Sequence, residues 1–233
     1  MERLHRSARM TGTREPVSLR YLLLTGHSDM LWFSAALWAL FAIIAALMEG
    51  DQALSAAAWF IGGVLPLIGG ILAAYAVLDD PALELRFATP HPAGQMLLER
   101  LMPVWVILTV SSLTYQLFAA AIGLDLGFLG GIAARQVAWL VPCMAMIALG
   151  TTTALALAGT TQGAMLTGVI WVFQVIARSW FNVDRWARYV ALFMGISVPE
   201  HEVLRVNQAV LVGLSVLFML AARSLLARQE RYL

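Results

Sequence analysis

Six stretches of mostly apolar residues divide this chain, and they constrain its fold more than any other feature. A helix needs about 20 such residues to cross the hydrocarbon core of a bilayer, which is about 30 Å thick, because each residue rises about 1.5 Å. Hydrophobic residues make up 61% of the chain and charged residues only 12%, which is atypical of a soluble domain. We therefore predict an all-α polytopic membrane protein whose transmembrane domain, residues 31–225, has spans at 31–48, 53–78, 101–122, 137–158, 162–176 and 206–225.

The distribution of arginine predicts the orientation of these spans. Loops that remain in the cytoplasm during insertion retain Lys and Arg. Five arginines precede the first span, whereas the loop between the first two spans carries only Glu49 and Asp51. We therefore expect the N-terminal tail, residues 1–30, and the C-terminal tail, residues 226–233, to face the cytoplasm. Residues 178–205 mix arginines with acidic residues, and we interpret them as a folded amphipathic element on the opposite side.

The residues and motifs that the sequence lacks argue against ATP binding by this chain, ion transport and hydrolase activity. All fifteen basic residues are Arg, so a P-loop lysine is impossible, and any ATP that drives this protein must bind another chain. No Asp, Glu, Lys, Arg or His lies near the centre of a predicted span, which disfavours an ion channel or ion-coupled carrier. The chain has no HExxH or GxSxG motif, and Cys143 is interpreted as a small buried residue. We predict no catalytic, metal-binding or cofactor-binding residue.

The segment between spans two and three carries the most specific pattern. Asp80 can cap a helix whose first position is Pro81, and Thr89-Pro90 ends that helix about two turns later. Leu83 and Phe87 are four residues apart and share one face of it. A second helix is predicted to begin near Pro92 and to continue into span three. Spacing alone leaves two interpretations open, a helix at the lipid interface and a docking element for a soluble partner.

This segment resembles the one that joins spans two and three in ABC-2 type transporter permeases. The matching residues are Asp79-Asp80, Leu83-Glu84-Leu85, Ala88-Thr89-Pro90 and Leu97-Leu98-Glu99-Arg100-Leu101. Pro81-Ala82 replaces the usual Gly-Thr, and Arg100 stands where Lys is common. The basic end of the chain, residues 222–233, is also similar to the usual ending of the family, as are Asn207 and the six predicted spans.

The resemblance implies a function and partners. Permeases of this family pair, as identical or different copies, in the bacterial or archaeal plasma membrane, and each inserts its short cytoplasmic helix into an ATPase subunit that binds ATP and Mg²⁺. Carried over to this sequence, the ATPase-coupling contacts are Leu83, Glu84, Leu85, Arg86 and Phe87. Residues 17–27 resemble the amphipathic interfacial helix of the family, and residues 178–205 resemble its external re-entrant hairpin. Membrane lipid is an expected partner and nucleic acid is not.

Uncharged polar residues at membrane depth are the candidates for lining a substrate pathway. They are Tyr115, Gln116, Thr151, Thr152, Thr153 and Gln174. For the threonines, a hydroxyl bonded to its own helix backbone is the competing interpretation. Such a lining would suit the export of an amphipathic or lipid-like substrate. The alternative function is a membrane-embedded enzyme or an assembly factor that handles a cofactor such as haem, whose axial ligands only histidines in the loops could supply.

Overall fold

A computed structural model of the protein describes residues 28–78 and 93–227, and in these residues it contains helices and no strands. The eight α-helices are α1, Ser28–Leu47; α2, Gly50–Leu78; α3, Ala93–Ala121; α4, Ile132–Leu157; α5, Thr160–Ile176; α6, Arg178–Val183; α7, Met194–Ser197; and α8, Leu204–Leu226. Two 3-10 helices, Leu126–Leu129 and Ala187–Val190, lie in the connections. The all-α prediction is confirmed for this part of the chain.

Four of these helices, α2, α3, α4 and α8, are long and apolar enough to cross a membrane. The apolar helices Leu31–Leu47 and Thr160–Ile176 are shorter than these four. The chain is therefore a multi-pass membrane protein by the length and composition of its helices. Helix α3 already includes Ala93, so at least eight helical residues precede the apolar stretch that begins at residue 101.

Consecutive apolar helices run in opposite directions, so their connections alternate between two ends of the bundle. At one end, Asp51, Phe128 and Arg178 line a common pocket, and we call this the Asp51 end. At the other, which we call the Arg100 end, the buried guanidinium of Arg100 in α3 donates a hydrogen bond to the carbonyl of Val77 near the end of α2. The α4–α5 connection and the end of α8 lie at the Arg100 end as well.

Helix α4 is the centre of the bundle, since it packs against α2, α5 and α8. Glycines allow the closest of these approaches. A Cβ atom on Gly163 of α5 would lie 2.5 Å from the Cα atom of Ala154, so the two backbones touch there. Small residues at such crossings are the usual means by which membrane helices gain van der Waals contact, because lipid gives them no hydrophobic reason to associate.

Helix α2 contains a π-helical turn at Phe60–Val64, where the amide of Leu65 bonds to the carbonyl of Phe60. Pro66 follows this turn and has no amide proton to donate. The carbonyl of Gly63, within the π-helical turn, accepts a hydrogen bond of 2.8 Å from the indole nitrogen of Trp171 in α5. The widened turn therefore links α2 to α5, and such turns occur frequently at functional sites.

Three sequence predictions lie outside the described residues. These are the interfacial helix at 17–27, the coupling contacts Leu83, Glu84, Leu85, Arg86 and Phe87, and the last residues of the C-terminal tail. They stay predictions.

Candidate functional site

Two of the predicted pathway residues lie in the part of the bundle formed by α1, α2, α3 and α4. Tyr115 is fully buried, stacks on Phe60 with ring centroids 4.1 Å apart, and donates its hydroxyl proton to the carbonyl of Phe41 over 3.1 Å. Gln116 accepts a hydrogen bond of 3.0 Å from Gln136 of α4. Both side chains link neighbouring helices, and their polar atoms form hydrogen bonds within the bundle.

The three threonines of α4 differ in their surroundings. The Thr152 hydroxyl is 2.7 Å from the carbonyl oxygen of Ala148 in its own helix and 2.8 Å from that of Phe218 in α8. The Thr153 hydroxyl lies 3.2 Å from the hydroxyl of Thr167 in α5. Thr151 is fully buried, and its hydroxyl has no hydrogen-bond partner in the part of the chain that the structure describes. The hydroxyls of Thr152 and Thr153 thus bridge α4 to α8 and to α5. That these threonines line a substrate pathway stays a prediction.

The sixth predicted residue, Gln174, lies near the Asp51 end and holds the segment 178–203. Its amide nitrogen donates to the carbonyl of Val190 over 3.0 Å, and its amide oxygen accepts from the backbone N–H of Leu192 over 3.1 Å. Asn207 at the start of α8 donates to the carbonyls of Arg188 and Ala191, at 2.8 and 3.0 Å. Two buried amide side chains therefore fix the backbone of this segment from two directions.

Part of the segment 178–203 enters the bundle. Phe193 packs on Trp59 of α2 and on Trp171 of α5, with ring centroids 5.2 and 5.9 Å away. Ile196 of α7 fills the space beside Gly62 that a side chain there would occupy. Gly62 is twelve residues into α2, or about 18 Å at 1.5 Å per residue. The segment thus reaches well below the Asp51 end.

Asp184 shapes the exposed turn of this segment. Its carboxylate accepts hydrogen bonds from the backbone N–H groups of Trp186 and Ala187, at 2.9 and 2.8 Å, as acidic residues commonly do in turns. Three groups lower the pKa of this carboxyl below its usual value of 3.8. The N–H of Ala187 has the largest effect, followed by the N–H of Trp186 and then by the nearby charge of Arg188. Asp184 is therefore ionised at neutral pH, and it holds the turn through its charge.

Two adjoining cavities open at the Asp51 end. The first, which we call the groove, has a volume of about 900 Å³ and lies between α1, α2 and α5, with Phe41, Ile44, Val64 and Val175 among its apolar walls. The second, which we call the outer pocket, has a volume of about 470 Å³ and lies between α2, α6, α7 and the 3-10 helix Leu126–Leu129. Both volumes fall within the range of about 300–1,000 Å³ that is usual for sites of small molecules.

Four residues line both cavities and so mark their junction: Asp51, Ser55, Trp59 and Arg178. The guanidinium of Arg178 lies over the Trp59 ring, 5.6 Å from its centroid. Such cation–π contacts are worth about 0.5–1 kcal/mol at exposed sites and orient the cation. The junction therefore presents one carboxylate, one oriented guanidinium, a hydroxyl and an aromatic ring to whatever occupies the cavities.

Sequence reasoning did not select this junction as a site. None of the described residues that line the two cavities is among the predicted pathway residues. In the sequence, Asp51 and Arg178 are loop charges that lie 127 positions apart, which gives no indication that they meet. The available signal was the position of each charge beside a predicted span boundary and, for Arg178, the aromatic residues Trp180 and Phe181 that follow it, which is a common pattern at membrane interfaces.

The described residues do not form a metal centre, because no three of their His, Cys, Asp and Glu side chains come together. Comparison of the chain with family models, with characterised proteins and with solved structures gave no significant match.

Proposed function

We propose that this chain is the membrane-spanning subunit of an ATP-binding cassette transporter of the ABC-2 class. It exports an amphipathic or lipid-like substrate and pairs with a second permease copy in a bacterial or archaeal plasma membrane. A separate ATPase subunit binds ATP and Mg²⁺ and supplies the energy, since a P-loop lysine is missing from this sequence.

The observation that carries the proposal is the sequence run 79–101 and the way its flanks are held. The run resembles the ATPase-contacting segment of ABC-2 permeases. Arg100, which belongs to this run, is buried and bonds to the carbonyl of Val77, so the end of α2 and the start of α3 are tied together. A segment that receives force from an ATPase needs such an anchor, because loose flanks would absorb the movement.

The number of apolar helices and the position of the segment 178–203 support the same assignment. With α1 and α5 included, six apolar helices connect the Asp51 end with the Arg100 end, as six spans require. We assign the Arg100 end to the cytoplasm, together with both termini, on the distribution of arginine. The segment 178–203 is then external. Its approach to Gly62, well below the Asp51 end, fits a re-entrant hairpin.

The nature of the substrate rests on the walls of the groove. Apolar side chains of three helices form most of this cavity, and its charged residues lie only at the outer junction. The polar groups of a sugar or an ion would find no hydrogen-bond partners on such apolar walls, which costs free energy. A hydrocarbon chain has no polar groups and avoids this cost. Amphipathic molecules are therefore the best-fitting substrate class.

The test is affinity purification of the chain in mild detergent from its native membrane, followed by mass spectrometry and an ATPase assay. We expect a stoichiometric P-loop ATPase to accompany the chain and to be lost when Phe87 is changed to Asp. Ala227→Asp is the matched control, because it places the same charge on an exposed position at the Arg100 end. It should leave the ATPase bound.

A preparation without any ATPase would contradict the proposal and favour the enzyme or cofactor-handling alternative. The same holds if Phe87→Asp and Ala227→Asp retain the ATPase equally, since the segment 79–92 would then not be the contact.

A further inference from the structure

The geometry of the joined cavities points to a zwitterionic amphiphile as the ligand, with its hydrocarbon chain in the groove and its headgroup in the outer pocket between Asp51 and Arg178. That this ligand is also the transported substrate rests on the proposed function. Its binding to the chain does not depend on that function and can be measured without an ATPase.

The charges at the junction match such a headgroup. Asp51 and Arg178 are the charged residues among those that line the two cavities, and both are exposed. Within residues 28–78 and 93–227, neither of them forms an ion pair. A phosphate can take up hydrogen bonds from the guanidinium, which is a strong phosphate donor. An ammonium group of the same headgroup can pair with the carboxylate, so both charges are matched by one molecule.

The orientation of Arg178 suits this role. Its Cζ atom lies over the Trp59 ring, and its N–H donors form no hydrogen bond within residues 28–78 and 93–227. Ser55 and Ser179 add hydroxyl groups to the outer pocket, which can bond to the remaining phosphate oxygens. The outer pocket thus holds donors for an anion on α2 and α6 and a carboxylate for a cation on α2.

The length of the groove suits a hydrocarbon chain. Its residues on α2 extend from Asp51 to Val64, which is thirteen residues or about 20 Å along the helix. Half of a hydrocarbon core of about 30 Å is about 15 Å, so one lipid chain fits within this length. The groove is open rather than enclosed by the residues that line it, so a lipid has access to it.

The test uses photo-crosslinking of the purified chain in nanodiscs that contain a phosphatidylcholine with a diazirine in its acyl chain. Mass spectrometry then locates the labelled residues. We expect labelling to concentrate on groove residues such as Ile44, Val64 and Val175, and unlabelled phosphatidylcholine to compete better than phosphatidylglycerol or diacylglycerol.

Two substitutions and one control make the test specific. Arg178→Gln should lower groove labelling about tenfold, which corresponds to the loss of hydrogen bonds to a charged group. Asp51→Asn should shift the preference towards phosphatidylglycerol, because the guanidinium then stands alone. Arg185→Gln is the matched control: Arg185 also lies over a tryptophan, Trp186, at 5.7 Å, but it lines neither cavity. It should leave labelling unchanged.

Three results would overturn the inference. They are labelling spread evenly over the lipid-facing helices, equal effects of Arg178→Gln and Arg185→Gln, and chain-to-chain crosslinks between the groove walls, which would show that a second copy covers the groove. Because no ATPase is present in this assay, any of them could occur while an ATPase still co-purifies with the chain. The failure of this inference is therefore distinguishable from failure of the proposed function.

Discussion

Gly150 of α4 lies directly against the backbone of Gly70 in α2, and a Cβ atom at position 150 would overlap the carbonyl oxygen of Gly70. The methyl group of Thr167 in α5 approaches Gly70 as well, so three helices meet at this point. Packed helix backbones cannot move apart without opening a gap along the whole crossing. The pair therefore sets the distance between α2 and α4.

Replacing Gly150 by Ala should destabilise the bundle by about 1–3 kcal/mol, the usual cost of overpacking a tight contact. The measurement is thermal unfolding of the detergent-solubilised protein. Gly213→Ala in α8 is the control, because no atom lies within 4 Å of a Cβ atom there, and alanine favours a helix over glycine. A loss of stability that is equal in the two variants would contradict the close contact.

Replacing Gln174 by Leu should loosen the segment 178–203. The change leaves the carbonyl of Val190 and the buried N–H of Leu192 without the partners they have now, at a cost of about 1–3 kcal/mol. Limited trypsin digestion at Arg185 and Arg188 reports this loosening as faster cleavage. Gln208→Leu is the control, because it makes the same substitution at the same end of the bundle, and it should leave the cleavage rate unchanged. If both variants were cleaved at equal rates, Gln174 would not be the clamp.

The turn at Asp184 should respond to pH in a defined direction. The pKa of this carboxyl is lowered by folding, so its contribution to stability is fully present above the usual value of 3.8 and is lost as pH falls through the lower folded-state pKa. In Asp184→Asn the charge is gone at every pH. We expect amide hydrogen exchange at residues 184–190 to differ between the two proteins near pH 7 and to converge as the pH falls through the lowered pKa of Asp184.

Asp125→Asn serves as the control for that experiment, since Asp125 accepts a hydrogen bond from Gly127 in a different turn at the Asp51 end. It should leave exchange at residues 184–190 unchanged. A difference between the wild-type protein and Asp184→Asn that grew as pH fell would show that the sign of the pKa shift is wrong.

The assigned orientation predicts which positions a membrane-impermeant maleimide reaches in intact cells. Cys143 is the single cysteine and is buried, so Cys143→Ala gives a cysteine-free background. In that background Val183→Cys, at a position that is 83% exposed, should be labelled from outside. Ala227→Cys should be labelled only after permeabilisation. The reverse pattern would invert the topology and place the segment 79–92 outside, away from any cytosolic ATPase.

Much of the fold could be predicted from the sequence, because the length and polarity of a stretch largely decide whether it forms a membrane-spanning helix. Helix α3 includes Ala93, so the apolar stretch that begins at residue 101 continues a longer helix, as the sequence predicted. Helix α2 starts at Gly50, which has the left-handed conformation, φ 57°, where glycine is unstrained. Such boundaries depend on local chemistry that a single sequence contains.

The candidate site could not be predicted in the same way, because it depends on contacts between distant residues. The π-helical turn at Phe60–Val64 is stabilised by Trp171 on another helix, and the composition of α2 does not reveal that partner. Likewise, Arg178 and Asp51 become a site only when α6 is placed beside the start of α2. The polar residues within the spans were visible in the sequence, but not which helix each one would contact.

The most direct test of the central claim is site-specific crosslinking of Phe87→Cys, in the Cys143→Ala background, to the proteins that co-purify with the chain. The account predicts a product that joins this chain to a P-loop ATPase, with a yield that changes when ATP and Mg²⁺ are added, and no such product from Ala227→Cys. If Phe87→Cys gives no ATPase product above the Ala227→Cys background, the chain is not coupled to an ATPase through this segment, and the transporter assignment is contradicted.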